Sequence, residues 1–156
     1  GRSLLPMAMA AKHINHGTVI GIDPYSAQES AKFEIGENAD WWGKQDHKAI
    51  KARFEAFCKN FGVQDCVKLI EKPSDDVDLK GTNIQLLHVD GSHTEQAVRD
   101  AERFGPLIER GGIAVLDDIM WVGGGVLRAI DALEEMGFHE VYRDSAENWN
   151  IMQCAK

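Results

Sequence analysis

Two short apolar runs that end in aspartates constrain the possible folds of this sequence more than any other feature. Leu86–Val89 is followed by Asp90, and Ile113–Leu116 is followed by Asp117 and Asp118. Continuous apolar runs of this length are typical of buried parallel strands, and the carboxyl ends of such strands form the ligand crevice of an open α/β sheet. The pattern therefore predicts that three carboxylates gather at one edge of a sheet. Their oxygens would suit a hard cation such as Mg²⁺.

The composition bounds the class of protein. With 156 residues we expect one domain over residues 1–156 with a substantial core. The net charge of −8 disfavours nucleic acid or an anionic membrane as partner, because both require a basic surface. The sequence has no apolar run of the ~20 residues that a membrane span needs, and no signal-peptide pattern. Its three cysteines lack a zinc-binding spacing, which indicates buried thiols in the reducing cytoplasm.

The remaining patterns alternate between helix and strand. Strands are predicted over 18–22, 66–70, 84–89 and 112–117, and an antiparallel pair over 138–142 and 149–154 around a turn at 144–147. This order predicts the α/β class, with a doubly wound, Rossmann-like sheet that carries an antiparallel C-terminal strand pair. Helical spacing predicts a set of core-facing side chains: Ile50, Phe54, Phe57, Phe61, Ala97, Val98, Ala101, Phe104, Val126, Leu127, Ile130 and Leu133.

Residues 25–45 show no clear periodicity and are predicted to be a long loop. Loops of this length are typical of lids over a substrate. The segment contains Trp41 and Trp42, which would line an apolar pocket or simply pack. Trp121 has the same two interpretations. The glycines at 123–125 permit close approach or loop movement, and they are a weak signal for a phosphate site.

Asp23 follows the first predicted strand. A carboxylate in this place can accept both hydroxyl protons of a ribose, as in dinucleotide-binding folds. The alternative is an aspartate that initiates a turn before Pro24.

His93 lies three residues after Asp90, in the first turn of a helix for which Ser92 and Glu95 predict a capping box. The positive end of the helix dipole disfavours an imidazolium there, so we expect a neutral ring that accepts a proton as a general base. The alternative is an exposed histidine without a role. The three aspartates also have an alternative interpretation as solvated strand ends. His88 lies within a buried strand and is predicted to be a core residue.

Taken together, these residues resemble a class I S-adenosylmethionine-dependent methyltransferase. The likeness is to the metal-dependent O-methyltransferases of sugars and catechols, and to the related cephalosporin-hydroxylase-like proteins. It extends over nearly the whole chain, and its most specific segments are Val89–His93, Pro106–Ile108, Gly111–Gly112 and Leu116–Asp118. The family's first strand and most of its glycine-rich loop have no counterpart here, and Gly1–Ser3 resembles the end of that loop.

The resemblance implies a role for each matched position. Asp23 would hold the cofactor ribose, Ser74 and Asp75 would contact adenine, and Gly1 and Asp90 would complete the cofactor site. The metal ligands would be Asp90, Asp117 and Asp118, and His93 would be the base. The implied function is methyl transfer from S-adenosylmethionine to a small-molecule hydroxyl with the assistance of Mg²⁺.

Two other functions remain open at the level of sequence. One is a different enzyme on the same sheet, either cephalosporin-hydroxylase-like or acting on phosphates. The other is a truncated or degenerate methyltransferase-fold protein without activity, which would fold as a homodimer.

Overall fold

The computed structural model describes residues 2–34, 36–144, 146 and 148–155. Gly1, predicted to contact the cofactor, and Ser145 and Glu147 of the predicted turn lie outside the described residues. The chain divides into two compact units, residues 1–77 and 78–156. No helix among the described residues is both long enough and apolar enough to cross a membrane.

Among its described residues, the first unit contains a parallel strand pair and four α-helices. Its elements are, in order, α1 (Leu4–Ile14), β1 (Val19–Ile22), α2 (Ala27–Ala31), α3 (Gly36–Gly43), α4 (His47–Asn60) and β2 (Val67–Ile70). β1 and β2 pair in parallel, with Val19 opposite Val67. Both carboxyl ends therefore lie at the same edge, where Asp23 N donates to Ile70 O at 3.2 Å.

The core of the first unit is small. It consists of Ala8, Phe54, Cys58 and Val63, with partly buried residues of α1, β1 and β2 packed against it. The prediction that Phe57 and Phe61 face a core is wrong, since these rings are 51% and 50% exposed. Their spacing matches the helical period, but the period does not reveal how wide a face of α4 is covered.

Helix ends in the first unit follow local chemistry. The side chain of Asp46 accepts a hydrogen bond from Ala49 N at 2.9 Å and caps α4. α1 ends at Ile14, and its C-cap Asn15 adopts the left-handed conformation (φ 52°). Asparagine tolerates this conformation better than most residues, which makes it a suitable helix end.

The segment predicted to be a loop is instead partly helical. α2 and α3 occupy much of residues 25–45, and Ser26 accepts a hydrogen bond from Glu29 N at the start of α2. Helices of five and eight residues are too short to display a clear hydrophobic period, and this explains the wrong prediction.

The described part of the second unit forms a four-stranded mixed sheet with two α-helices. Its elements are β3 (Ile84–Val89), α5 (Glu95–Phe104), β4 (Ile108–Asp117), α6 (Gly125–Glu135), β5 (Phe138–Asp144) and β6 (Trp149–Cys154). The strand order is β3-β4-β6-β5; β3 and β4 are parallel, and β6 pairs antiparallel with both β4 and β5. The predicted α/β class and antiparallel C-terminal pair are confirmed.

One face of this sheet packs against α5 and α6. Residues from both helices and from all four strands form one buried cluster, which includes Val89, Ala101, Leu116, Leu133 and Met152. Most of the predicted inward residues of these helices are buried, but Leu127 is partly exposed and the prediction for it is wrong. Leu116 and Val89 lie on this covered face, so their neighbours along each strand point to the other face.

Candidate active site

Asp90 and Asp117 meet at the carboxyl ends of β3 and β4. The parallel register places Val89 opposite Leu116, so the next residues, Asp90 and Asp117, follow side by side. Asp117 Oδ1 accepts a hydrogen bond from Asp118 N at 3.0 Å, which orients this carboxylate. This part of the predicted acidic edge therefore forms as the strand pattern indicated.

Asp118 turns away from this pair. Its backbone adopts the left-handed conformation (φ 55°) directly after β4, so the side chain leaves the alternation of the strand. Asp118 Oδ2 lies 3.0 Å from His93 Nε2, and Asp118 Oδ1 accepts a hydrogen bond from Asn148 Nδ2 at 3.0 Å. The prediction that Asp118 binds a metal stays a prediction, but in this structure its carboxylate contacts His93 and Asn148.

Asn148 holds this turn in place, and sequence reasoning missed it. Its side-chain oxygen accepts a hydrogen bond from Met120 N at 2.6 Å, and its backbone oxygen accepts one from Ile119 N at 3.1 Å. The residue lies 30 positions after Asp118 and reaches it because β6 returns beside β4. No local pattern in the sequence signals such a contact.

His93 lies close to Asp118 with its ring nitrogens buried. The side chain is 13% exposed, and its ring packs on Trp121 with centroids 4.8 Å apart. Although Asp118 Oδ2 lies 3.0 Å from Nε2, neither ring nitrogen makes a hydrogen bond to a described residue. Buried polar atoms are normally paired, so these nitrogens fit a group that the protein receives from outside.

The backbone around His93 is held by the start of α6. A Cβ on Gly125 would lie 2.3 Å from His93 O and 2.4 Å from Thr94 O, so only glycine permits this approach. The predicted capping box is wrong, because α5 begins at Glu95 with Thr94 as its N-cap. Ser92 Oγ instead pairs with Thr94 Oγ1 at 3.0 Å, and His93 lies just before the helix and not in its first turn as predicted.

His88 joins the two strand-end aspartates, contrary to the prediction that it is a core residue. His88, Asp90 and Asp117 each offer a ligand atom, and these atoms all lie within 4.8 Å of one another. The signal was available in the sequence, since residues 88 and 90 are two apart on one strand and share a face. Burial raises the pKa of Asp90 and the Asp117 carboxylate adds to this effect, whereas nearby His88 opposes it.

The predicted cofactor residues of the first unit lie at the carboxyl ends of β1 and β2. Asp23 follows β1 directly and is exposed, and its Oδ1 accepts a hydrogen bond from Tyr25 N at 2.7 Å. Ser74 and Asp75 form a single 3₁₀ turn after β2. The structure thus places these three residues on loops at one edge of the β1–β2 pair.

A cleft of about 530 Å³ opens beside Asp23 in the same unit. Its walls come from the start of α2, the start of α4 and the end of β2, and comprise Pro24, Tyr25, Ser26, Ala27, Gln45, Asp46, His47, Lys48 and Glu71. Burial raises the pKa of Tyr25 to about 12, and the Asp23 carboxylate adds to this rise. Tyr25 is therefore a neutral hydrogen-bond donor at the mouth of the cleft.

Comparison with known proteins identifies the class. A family model described as a methyltransferase domain matches residues 1–119. The chain therefore belongs to this family of methyltransferase domains. No curated protein matches it by sequence.

Solved structures agree with the family. The O-methyltransferase NovP has a TM-score of 0.65 at 16% identity, over 98% of this chain and 67% of its own. CalS11, a TDP-rhamnose 3'-O-methyltransferase of calicheamicin biosynthesis, has a TM-score of 0.64 at 16% identity over the same shares. TomG from Streptomyces achromogenes, solved in complex with SAM, has a TM-score of 0.56 at 11% identity, over 97% of this chain and 79% of its own. These similarities show that the fold is that of the Rossmann-like methyltransferases.

Proposed function

We propose that this methyltransferase domain transfers a methyl group from S-adenosylmethionine to a hydroxyl of a small molecule. The observation that carries the proposal is His93, whose buried ring nitrogens make no hydrogen bond to a described residue, at the edge where Asp90 and Asp117 lie. Family membership supports methyl transfer, and the named O-methyltransferases of the same fold support an oxygen acceptor.

The cofactor would be held by residues at the strand ends. When bound, S-adenosylmethionine supplies a methyl group on a positively charged sulfur, which a hydroxyl oxygen attacks in line. The exposed carboxylate of Asp23 fits a ribose, because among the described residues it accepts only the hydrogen bond from Tyr25 N. Ser74 and Asp75 would contact adenine, and Asp90 stays a predicted cofactor contact.

His93 would take the proton of the acceptor hydroxyl. A general base must present a ring nitrogen that is free of other hydrogen bonds and within hydrogen-bond reach of that hydroxyl. The His93 ring nitrogens make no hydrogen bond to a described residue, so they meet the first of these two conditions. Trp121 packs on the ring and restricts its orientation. Much of the rate would come from positioning, because methyl transfer requires an in-line approach.

A divalent cation, predicted from the sequence to be Mg²⁺, would assist methyl transfer at the edge of the sheet where β3 and β4 end. The oxygen-rich donor set of Asp90 and Asp117 fits such an ion, and Asp118 stays a predicted third ligand. When bound, the cation would act as a Lewis acid that orients the acceptor and lowers the pKa of its hydroxyl.

Residues 25–45 would cover the substrate. Both ends of this segment line the cleft beside Asp23, and the two tryptophans of α3 contact each other edge-to-face with centroids 4.7 Å apart. Trp41 is exposed, which leaves apolar surface available for an acceptor. The cytoplasmic location and a homodimeric assembly stay predictions, testable by fractionation and light scattering.

Methyl transfer can be tested with radiolabelled S-adenosylmethionine and a panel of phenols, sugars and polyketide alcohols. The full chain should methylate a member of the panel, and His93→Ala should lower turnover by about 10²–10⁴-fold, the usual contribution of a general base. His139→Ala, which removes an exposed imidazole of β5, is the matched control and should retain wild-type turnover.

Two results would contradict this proposal. Tighter binding of ATP or NAD than of S-adenosylmethionine would indicate another enzyme class. Normal turnover by His93→Ala would show that the base lies elsewhere.

A further inference from the structure

The ladder between β3 and β4 places one imidazole and two carboxylates on the same face of the sheet. His88 pairs with Val115, and Val89 pairs with Leu116. Val89 and Leu116 are buried against α5 and α6, so the residues on either side of them point to the opposite face. His88, Asp90 and Asp117 therefore project together because of the strand register, and not because of a flexible loop.

The distances among these side chains suit a single ion. Their ligand atoms all lie within 4.8 Å of one another. Ligands bound to one transition-metal ion at about 2.1 Å are at most about twice that distance apart, so small side-chain rotations would bring all three into contact with it. Asp117 is also oriented by the backbone of Asp118, and such support is typical of metal ligands.

The third ligand available in this structure is His88 and not Asp118. The left-handed backbone of Asp118 directs its carboxylate to His93 and Asn148, at 3.0 Å from each. An ion that recruited Asp118 would compete with these two contacts for the same carboxylate. His88 requires no such change, since it already lies within the group.

An imidazole ligand changes which ion the site prefers. Mg²⁺ favours oxygen ligands, whereas nitrogen ligands favour first-row transition metals. We propose that His88, Asp90 and Asp117 form a binding site for a divalent transition-metal ion such as Mn²⁺ or Zn²⁺, in preference to Mg²⁺. Three protein ligands leave coordination positions open for an acceptor oxygen. The catalytic role of the ion, though not its binding, rests on the proposed function.

Binding of the metal alone tests the site without reference to methyl transfer. The full chain, stripped with EDTA and free of S-adenosylmethionine, is titrated with MnCl₂, ZnCl₂ or MgCl₂ by calorimetry. We expect one ion per chain, with Zn²⁺ and Mn²⁺ bound more tightly than Mg²⁺. Asp117→Asn should weaken binding of every ion by at least about tenfold, whereas the exposed Asp131→Asn on α6 should have no effect.

Substitutions at His88 and Asp118 show which of these residues is the third metal ligand beside Asp90 and Asp117. His88→Gln should weaken Mn²⁺ and Zn²⁺ binding by at least about tenfold and reduce their advantage over Mg²⁺, and Asp118→Asn should weaken binding of these ions less than His88→Gln does. His139→Gln is the control for loss of an imidazole. The inference is wrong if the wild type binds no ion, or if loss of Asp118 weakens binding and loss of His88 does not.

A spectroscopic readout covers the case in which His88→Gln fails to fold. Pulsed electron paramagnetic resonance of the Mn²⁺-loaded wild type should show coupling to an imidazole nitrogen, and its absence would contradict the inference. A chain that methylates an acceptor but binds no metal would keep the proposed function and reject only this site.

Discussion

At the scale of single residues, Tyr25 connects the cofactor prediction for Asp23 to a measurable titration. The backbone N–H of Tyr25 donates a hydrogen bond to the Asp23 carboxylate, and Tyr25 lines the cleft beside Asp23. Burial first, and then the negative charge of Asp23, raise the pKa of Tyr25 to about 12. The ionised phenolate would be both poorly hydrated and close to a like charge.

Alkaline titration followed at 295 nm should show this shift. The chain has two tyrosines, and the pKa of Tyr142 is also raised, chiefly by Asp144. Tyr25→Phe should therefore remove the component centred near pH 12. Loss of a component near the ordinary value of about 10 would contradict the burial of this phenol.

The same shift has a consequence for stability. The unfolded chain loses the Tyr25 proton near pH 10 and the folded chain near pH 12. The contribution of Tyr25 to the free energy of unfolding is thus present below pH 10 and disappears as the pH rises through 12. Denaturant titrations should show the wild type losing stability relative to Tyr25→Phe over this interval.

At the scale of elements, the start of α6 fixes the loop that carries His93. The close approach of Gly125 to two backbone oxygens leaves no room for a side chain. Gly125→Ala should therefore lower the free energy of unfolding by about 1–3 kcal/mol, the usual cost of overpacking. Denaturation followed by circular dichroism measures this change.

Gly91→Ala is the matched control on the neighbouring loop. A Cβ at Gly91 would have no heavy atom within 4 Å among its neighbours, so stability should change by less than about 0.5 kcal/mol. Equal effects of the two substitutions would show that the contact between Gly125 and the His93 loop does not constrain the structure.

Strand elements were more predictable from the sequence than helix faces. β3 and β6 have their predicted bounds, because apolar runs bounded by turns define short strands well. Phe57 and Phe61 show the limit for helices, since their exposure depends on what packs against α4 and not on their period. α2 and α3 were missed because short helices carry little periodicity.

The candidate site was predictable where it depends on strand ends and unpredictable where it depends on tertiary contacts. Asp90 and Asp117 meet because of parallel pairing, which the sequence pattern indicated. The change in direction at Asp118 depends on a left-handed backbone and on Asn148, which arrives from a distant strand. The spacing of His88 and Asp90 indicated a shared strand face, but an apolar run does not show which face is buried, and the prediction of a core position for His88 was therefore wrong.

At the scale of the whole molecule, the proposed roles are divided between the two units. The ribose carboxylate of Asp23 belongs to residues 1–77, and the proposed base His93 belongs to residues 78–156. Membership of the methyltransferase family supports methyl transfer by the chain, and the roles of Asp23 and His93 stay proposals. Cofactor binding and proton transfer should therefore be separable by substitution.

Calorimetric titration of the full chain with S-adenosylmethionine tests this account most directly, because it needs no acceptor. The wild type should bind one equivalent of S-adenosylmethionine, and His93→Ala should bind it as tightly as the wild type does. Asp23→Asn should lose about 1.5–3 kcal/mol of binding free energy, because its hydrogen bonds to the ribose would no longer involve a charged group. Asp65→Asn, at an exposed position of the first unit, is the control. Absence of binding by the wild type, or equal affinity of Asp23→Asn and the wild type, would contradict the account.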